Sequence, residues 1–97
     1  MIDTEISQGA ELRINISDED GLDVTLFSYK AELVKDEQRT AFEFFNNDDK
    51  TVDMFIPDTV TATMEMGYHI GDIFQVNNGK RLKLDDIKVK ITESITG

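Results

Sequence analysis

The sequence predicts an all-β fold in which two antiparallel sheets pack face to face. Apolar and polar residues alternate over most of the chain, which is the pattern of half-buried strands. Turn-forming residues separate these stretches at intervals of roughly eight to twelve residues, as in β-sandwiches. Only one short stretch has helical spacing, so little helix is expected. The 97 residues are therefore predicted to form a single domain, residues 1–97.

The first predicted strand covers residues 11–16, where Leu, Ile and Ile alternate strictly with polar residues. The next runs from residue 22 to residue 34. Its apolar positions change parity before Ser28, so a bend or bulge is expected there. The polar segment 35–40 is interpreted as a connection without a strand.

Two further strands are predicted at residues 41–45 and 51–56. Asn and Asp side chains at residues 46–50 favour a turn between them, since these residues tolerate left-handed conformations. Pro57 cannot donate to a ladder and should end the second strand. Residues 58–66 are predicted to form a short helical turn that crosses from one sheet to the other.

The last two strands are predicted to form a hairpin. One covers residues 67–76, and the Asn-Gly step in residues 77–79 is a strong signal for a tight turn. The partner strand begins at Lys80 and continues to residue 91. Its apolar parity reverses near Asp85-Asp86, which predicts a bulge or kink at that pair.

About seven short strands with sequential hairpins are typical of an antiparallel sandwich of immunoglobulin-like type. A small barrel of five or six strands is the alternative architecture.

The charge of the chain constrains its partners. Twenty acidic and ten basic residues give a net charge of −10, which disfavours nucleic acid and anionic membranes as direct partners. The absence of cysteine excludes disulfides and thiolate metal sites. The N-terminus has no basic and apolar pattern of a signal peptide, and no apolar run suggests a transmembrane segment.

The basic residues are concentrated near the C-terminus. Residues 79–97 carry a charge of +2 and residues 1–78 a charge of −12. This polarity could help identical subunits dock end to end, but the pattern favours a solvated last strand whose lysines protect an edge against aggregation. The candidate interface residues are Lys80, Arg81, Lys83, Lys88 and Lys90.

The acidic segment Ser17–Asp23 is the stretch that most resembles a site. Asp18, Asp20 and Asp23 could supply three carboxylates to calcium. The spacing fails the EF-hand pattern, because the glycine is fourth from Asp18 and the twelfth residue is Tyr29. A solvated hairpin turn is the interpretation that the counting favours.

No catalytic motif is found. His69 is the single histidine, so one chain cannot build a histidine-based metal cluster or a triad. The carboxylate pair Asp85 and Asp86 does not provide acid–base chemistry by itself, because adjacent residues on a strand point to opposite faces. The chain is therefore expected not to be an enzyme and to need no cofactor.

The order of these features resembles a family of small virion domains of tailed bacteriophages, the N-terminal domain of the baseplate upper protein. The matching segments are Gln8-Gly9 before the strand Leu12–Ile16, the turn Asp18–Gly21, the strand Tyr29–Leu33, the strand Met66–Ile73, the hairpin Asn78–Lys80 and the closing strand Lys88–Thr96. His69 stands where that family usually has tyrosine, and Asp85-Asp86 replace a common glycine.

The resemblance implies an immunoglobulin-like building block of a phage tail, baseplate or neck, without catalytic residues. The hypothesis is therefore a structural protein, located in the virion, whose partners are other virion proteins and other copies of itself in a ring. A capsid decoration protein is a related alternative. A small acidic effector that mimics DNA and inhibits a host protein is an alternative from another class, and a calcium-stabilised adhesive module is a third.

Overall fold

The computed structural model describes residues 1–94 and contains two packed β-sheets. The strands are β1 (Ile2–Ser7), β2 (Leu12–Ile16), β3 (Ser28–Lys35), β4 (Gln38–Ala41), β5 (Glu43–Asn46), β6 (Val52–Ile56), β7 (Gly67–Asn77) and β8 (Lys80–Thr92). One short helix, α1 (Asp58–Thr61), follows β6. No helix within the described residues is long and apolar enough to cross a bilayer.

The strand order confirms the predicted immunoglobulin-like sandwich. The five-stranded sheet has the order β1-β8-β7-β3-β4, and the three-stranded sheet has the order β2-β6-β5. All neighbouring strands are antiparallel except β1 and β8, which run parallel. The fold therefore has eight strands, one more than the sequence suggested, and one parallel pair.

The core lies between the two sheets and is built by the alternation seen in the sequence. In β6, for example, Val52, Met54 and Ile56 are fully buried while the residues between them face outward. The buried apolar cluster consists of Leu12, Ala31, Leu33, Phe42, Met54, Ile56, Met64, Ile73, Ile87, Val89 and Ile91.

The acidic segment 17–23 is not the turn of a hairpin, which corrects one prediction. β2 pairs with β6 in the three-stranded sheet, whereas β3 pairs with β4 and β7 in the other sheet. The segment therefore crosses between sheets. The predicted strand 22–34 also starts later than expected, at Ser28, because a 3-10 turn occupies Val24–Leu26. That turn lies just before Ser28, where the parity slip predicted a bend.

The polar segment 35–40 was wrongly interpreted as a connection without a strand. Lys35 pairs with Gln38, so a two-residue turn joins β3 to β4 directly. Asp36 occupies this turn with a φ of 53°, a conformation that Asp adopts more readily than most residues. Phe42, predicted to lie within the next strand, is instead the buried residue between β4 and β5.

The hairpin of β7 and β8 confirms the prediction from the Asn-Gly step. Asn78 and Gly79 both have positive φ, and Asn77 pairs with Lys80 across the turn. The predicted bulge is also present. It lies at Leu84, since the partners of Phe74 and Ile73 are Lys83 and Asp85. The bulge therefore precedes Asp85-Asp86 by one residue.

β1 is a strand that the sequence did not predict. This strand forms the edge of the five-stranded sheet and pairs with Ile87–Thr92 of β8. The C-terminal half of β8 is therefore an interior strand, so its lysines do not protect a free edge. The final residues of the proposed closing strand, Ile95 and Thr96, lie outside the described residues.

Candidate functional site

The surface with the strongest features of a binding site is the face of the five-stranded sheet that points away from the three-stranded sheet. We call it the outer face. Strand alternation and register place these side chains there: Asp3 and Glu5 of β1, Arg81, Lys83, Asp86, Lys88 and Lys90 of β8, Tyr68, Ile70, Asp72 and Phe74 of β7, Lys30, Glu32 and Val34 of β3, and Arg39 and Ala41 of β4.

The centre of the outer face is apolar and accessible. Ile70 is 59% exposed and Tyr68 is 49% exposed, although both lie on a central strand of the sheet. Val34 is the cross-strand partner of Ile70 on β3, and Phe74 lies farther along the same face of β7, beyond Asp72, which interrupts the apolar column. Large apolar residues grouped on the face of a central strand are typical of protein contact surfaces.

Basic groups cover the aromatic rings of this column. The Lys88 and Lys90 ammonium nitrogens lie 4.3 Å and 5.7 Å from the centroid of the Tyr68 ring. The Arg81 guanidinium lies 5.8 Å from the centroid of Phe74. These are cation–π distances, so each cation can interact with the face of the ring below it.

The outer face differs in charge from the remainder of the chain. It holds six of the ten basic residues and five of the twenty acidic residues, so its net charge is +1 and that of the remainder is −11. Some of its charges are satisfied, as in the 2.7 Å ion pair of Arg39 with Glu32. Among residues 1–94, however, Lys30, Arg81 and Lys88 have no carboxylate within 4.0 Å.

A shallow groove of about 580 Å³ crosses the outer face over β3, β4 and β7. Its lining includes the ion-paired Arg39 and Glu32, together with Asp72, Phe74 and Arg81. The groove has apolar and charged walls but no converging set of catalytic groups. Within the described residues, no three His, Cys, Asp or Glu side chains are grouped so that they could hold a metal ion.

The structure separates the five predicted interface residues into two groups. Lys88 and Lys90 lie on the outer face above Tyr68. Lys80, Arg81 and Lys83 lie at the hairpin end of β8, where residues 77–84 are all exposed, and Arg81 and Lys83 also point to the outer face. The sequence placed these residues on one strand correctly, but it could not show that Tyr68 and Ile70 lie beside them, because that contact depends on the pairing of β7 with β8.

The three candidate calcium ligands serve local structure or face solvent. The Asp18 carboxylate accepts a 3.1 Å bond from the backbone N–H of Leu22. The Asp23 carboxylate caps the 3-10 turn by accepting bonds from the Thr25 hydroxyl and backbone N–H, which lower the pKa of Asp23 in that order. Asp20 is exposed. The structure thus does not assemble a calcium site from these residues.

His69 has a structural position. Its side chain is fully buried, and Nε2 lies 2.7 Å from the backbone carbonyl of Glu65, so this nitrogen is the donor. The Gln8 amide donates to the carbonyl of Met64, and the Gln38 amide to that of Thr63. These side chains fasten the segment between α1 and β7 to the end of the sandwich. No sequence pattern predicts this arrangement, because its members are far apart in the chain.

Comparison with known proteins shows the fold of the chain. No protein-family model and no curated protein sequence matches it. A marsupial T cell receptor structure matches 97% of this chain and 50% of its own, with 7% identity and a TM-score of 0.59. A proposed glycoside hydrolase from Bacteroides vulgatus matches 95% of this chain and 17% of its own, with 10% identity and a TM-score of 0.56. The chain thus spans half or less of each of these structures, and the likeness establishes an immunoglobulin-like sandwich.

Proposed function

We propose that this chain is a non-enzymatic building block that acts through contacts with other proteins, and that the outer face is its contact surface. The observation that carries the proposal is the exposed pair of Tyr68 and Ile70, with the Lys88 ammonium, which has no carboxylate within 4.0 Å among residues 1–94, above the Tyr68 ring. A protein partner would cover the apolar column and supply carboxylates to Lys30, Arg81 and Lys88.

The dimensions of the domain suit this role. Its long and middle axes measure 40 Å and 27 Å, and the five-stranded sheet forms one of its broad faces. Such a face can bury roughly 800 Å² per partner, which is the size of a standard protein–protein interface. The preferred partner surface has an apolar centre and an acidic rim, since the outer face itself is weakly basic on an acidic protein.

We further propose that the assembly is the virion of a tailed phage, as a baseplate, tail or neck component. The support for this placement is the resemblance of the sequence to the baseplate upper protein domain. A role in capsid decoration has the same physical basis. The immunoglobulin-like fold is compatible with all of these positions but does not select among them.

The test uses purified particles of the phage that encodes the chain. Mass spectrometry should detect the chain in these particles at a constant copy number. Ile70→Glu should reduce incorporation at least about 10-fold, because it buries a charge in the interface. Phe45→Glu is the matched control, since Phe45 is also 59% exposed but lies on β5 of the other sheet.

Each outcome is decisive. Incorporation that is lost with Ile70→Glu and kept with Phe45→Glu supports the outer face as the contact surface. Equal incorporation of both variants refutes it. A chain that is absent from particles and remains free in the lysate refutes the virion assignment, and a stable complex with a host DNA-binding protein would then favour the DNA-mimic hypothesis.

A further inference from the structure

The five-stranded sheet is open along one part of its edge. β1 pairs only with Ile87–Thr92 of β8, so residues 80–86 have no strand on that side within the described part of the chain. The bulge at Leu84 interrupts this stretch. Its regular part is therefore residues 80–83, which we call the open edge.

The main chain of the open edge has hydrogen-bonding groups without a ladder partner. Asn77 and Lys80 face each other across a two-residue turn, so they form a hydrogen-bonded pair. Bonded and non-bonded pairs alternate along an antiparallel ladder, so Leu82 also bonds to β7. The N–H and C=O groups of Arg81 and Lys83 then point away from β7. No strand within residues 1–94 pairs with them on that side.

The side chains of the open edge are also uncovered. Leu82 is 60% exposed and lines a shallow hollow of about 360 Å³ at the hairpin. Lys80 and Arg81 have no carboxylate within 4.0 Å among residues 1–94, whereas Lys83 pairs with Asp86 at 2.6 Å. Alternation places Arg81 and Lys83 on the outer face and Leu82 on the opposite face. The open edge therefore has cations on one face and an exposed leucine on the other.

The charges of the open edge select its partner. If the open edges of two copies paired around a two-fold axis at Leu82, Arg81 of each copy would face Lys83 of the other. Like charges directly opposite one another in a ladder are destabilising. Basic residues at an edge thus prevent pairing with a strand of the same charge and favour an acidic strand.

We propose that the open edge binds an extended acidic segment of a partner protein, which adds to β8 as an antiparallel strand. Main-chain hydrogen bonds to an exposed edge supply affinity in this mode of binding, and alternate side chains supply specificity. Facing residues share a face, so the segment carries carboxylates opposite Arg81 and Lys83 and an apolar residue opposite Leu82. The inference goes beyond the proposed function, because it concerns a sheet edge and does not require a virion.

The N-terminus limits the length of the added strand. The Met1 amine lies 3.0 Å from the Asp85 carboxylate, on the far side of the bulge from the open edge. The added strand therefore begins opposite Lys83 and leaves the sheet at the hairpin turn, beyond Lys80. A ladder this short has few main-chain hydrogen bonds, so its affinity depends strongly on the pairing of charges, above all at the unpaired Arg81.

Peptide binding tests the proposal. The probe is a fluorescein-labelled peptide of three Glu-Val repeats, and fluorescence anisotropy measures its binding to the purified chain at an ionic strength of roughly 0.15 M. It should bind saturably at concentrations up to about 1 mM, whereas a peptide of three Lys-Val repeats should not bind. No binding of the Glu-Val probe would overturn the proposal.

A charge reversal locates the binding site. Arg81→Glu should raise the dissociation constant of the Glu-Val probe at least about 10-fold. Lys50→Glu is the matched control, because Lys50 is also exposed and has no carboxylate within 4.0 Å among residues 1–94, but it lies outside the open edge. It should bind the probe like the natural sequence. Equal weakening by both variants would contradict binding at the open edge.

Methylated peptides distinguish strand addition from attraction between charges. In the proposed pairing the glutamate amides of the probe face β8, and the valine amides point away from it. N-methylation of the glutamates should weaken binding at least about 10-fold, because it removes main-chain donors. N-methylation of the valines should leave binding unchanged. Equal effects of the two methylations would overturn strand addition.

Hydrogen exchange of the backbone amides gives a further measurement that needs no variant. With the probe at three times its dissociation constant, exchange at Arg81 and Lys83 should slow about 4-fold. The amides of Lys80 and Leu82 already bond to β7 and should change less. Unchanged exchange at Arg81 and Lys83 would overturn the proposal.

Sedimentation velocity of the chain alone identifies the occupant. A monomer that binds the probe supports a separate partner protein. A dimer that Arg81→Glu dissociates would show that a second copy occupies the open edge, and it would overturn the proposal. All of these assays use the purified chain without phage particles, so their results are independent of the incorporation test for the outer face.

Discussion

Replacement of Gly71 by alanine should destabilise the protein through steric overlap alone. Gly71 lies on β7 opposite Leu33 of β3, and its φ is not positive, so alanine could adopt its backbone conformation. A Cβ atom at this position would overlap the carbonyl oxygen of Glu32 and would lie 2.8 Å from its carbonyl carbon. The obstacle is backbone, so no side-chain rotation relieves the contact.

The magnitude follows from the response of the sheet. β3 must move away from β7, and overpacking of this kind costs about 1–3 kcal/mol. Weakening two ladder hydrogen bonds between these strands adds about 1 kcal/mol each. Gly71→Ala should therefore lower the free energy of unfolding by about 3–5 kcal/mol, and the melting temperature by at least about 12 °C for a domain of this size.

The assay is urea or thermal unfolding followed by far-ultraviolet circular dichroism. Gly9→Ala is the control for conformation without overlap, because Gly9 has a φ of 82° and nothing within 4 Å of an added Cβ. It should cost only about 1–2 kcal/mol. If Gly71→Ala loses less stability than Gly9→Ala, the close approach of β3 to β7 is not what requires glycine.

Three further predictions concern single polar groups and metal. The pKa of Asp53 is lowered first by the hydrogen bond from Asn15 and then by that from the Arg13 guanidinium. The stabilisation that the Asp53 carboxylate contributes is therefore present above the unfolded pKa near 3.8 and is lost as pH falls through the folded value. Urea titrations below about pH 4 should show a shallower loss of stability for Asp53→Asn than for the natural sequence. His69→Ala should cost about 3 kcal/mol in the same unfolding assay at neutral pH, since it leaves a cavity and an unpaired carbonyl; a cost below about 1 kcal/mol would contradict the buried bond. Asp23→Ala should lower the free energy of unfolding by about 1 kcal/mol, because it removes the cap on the Thr25 backbone N–H. Calcium or a chelator should leave the melting temperature unchanged. A fall in melting temperature with chelator would support the calcium hypothesis.

The sequence predicted most of the core because burial in a strand follows a period of two. Residues such as Met54 and Val89 could be assigned to the core from alternation alone, and the structure confirms both as fully buried. The turn at Asn78-Gly79 was also predictable, since positive φ at both positions favours these residues. Local patterns succeed here because their causes are local.

The missed elements depend on contacts between distant parts of the chain. β1 was not predicted as a strand, and it forms one because β8 supplies its ladder some 85 residues later in the sequence, where Ile2 pairs with Ile87. The segment 35–40 contains no apolar residue, and it pairs because β3 offers a free edge. Short edge strands bury little surface of their own, so their sequences carry a weak signal.

The sequence by itself determined an acidic all-β domain, its strand alternation, its strongest turn and the concentration of basic residues in β8. Only the tertiary structure decided which faces and edges those residues share. Pairing of β7 with β8 brings Lys88 and Lys90 over Tyr68, and the shortness of β1 leaves Arg81 and Lys83 on an open edge. The physical reason is that alternation specifies which side of a strand is buried, whereas strand order and register arise from pairing across the whole chain.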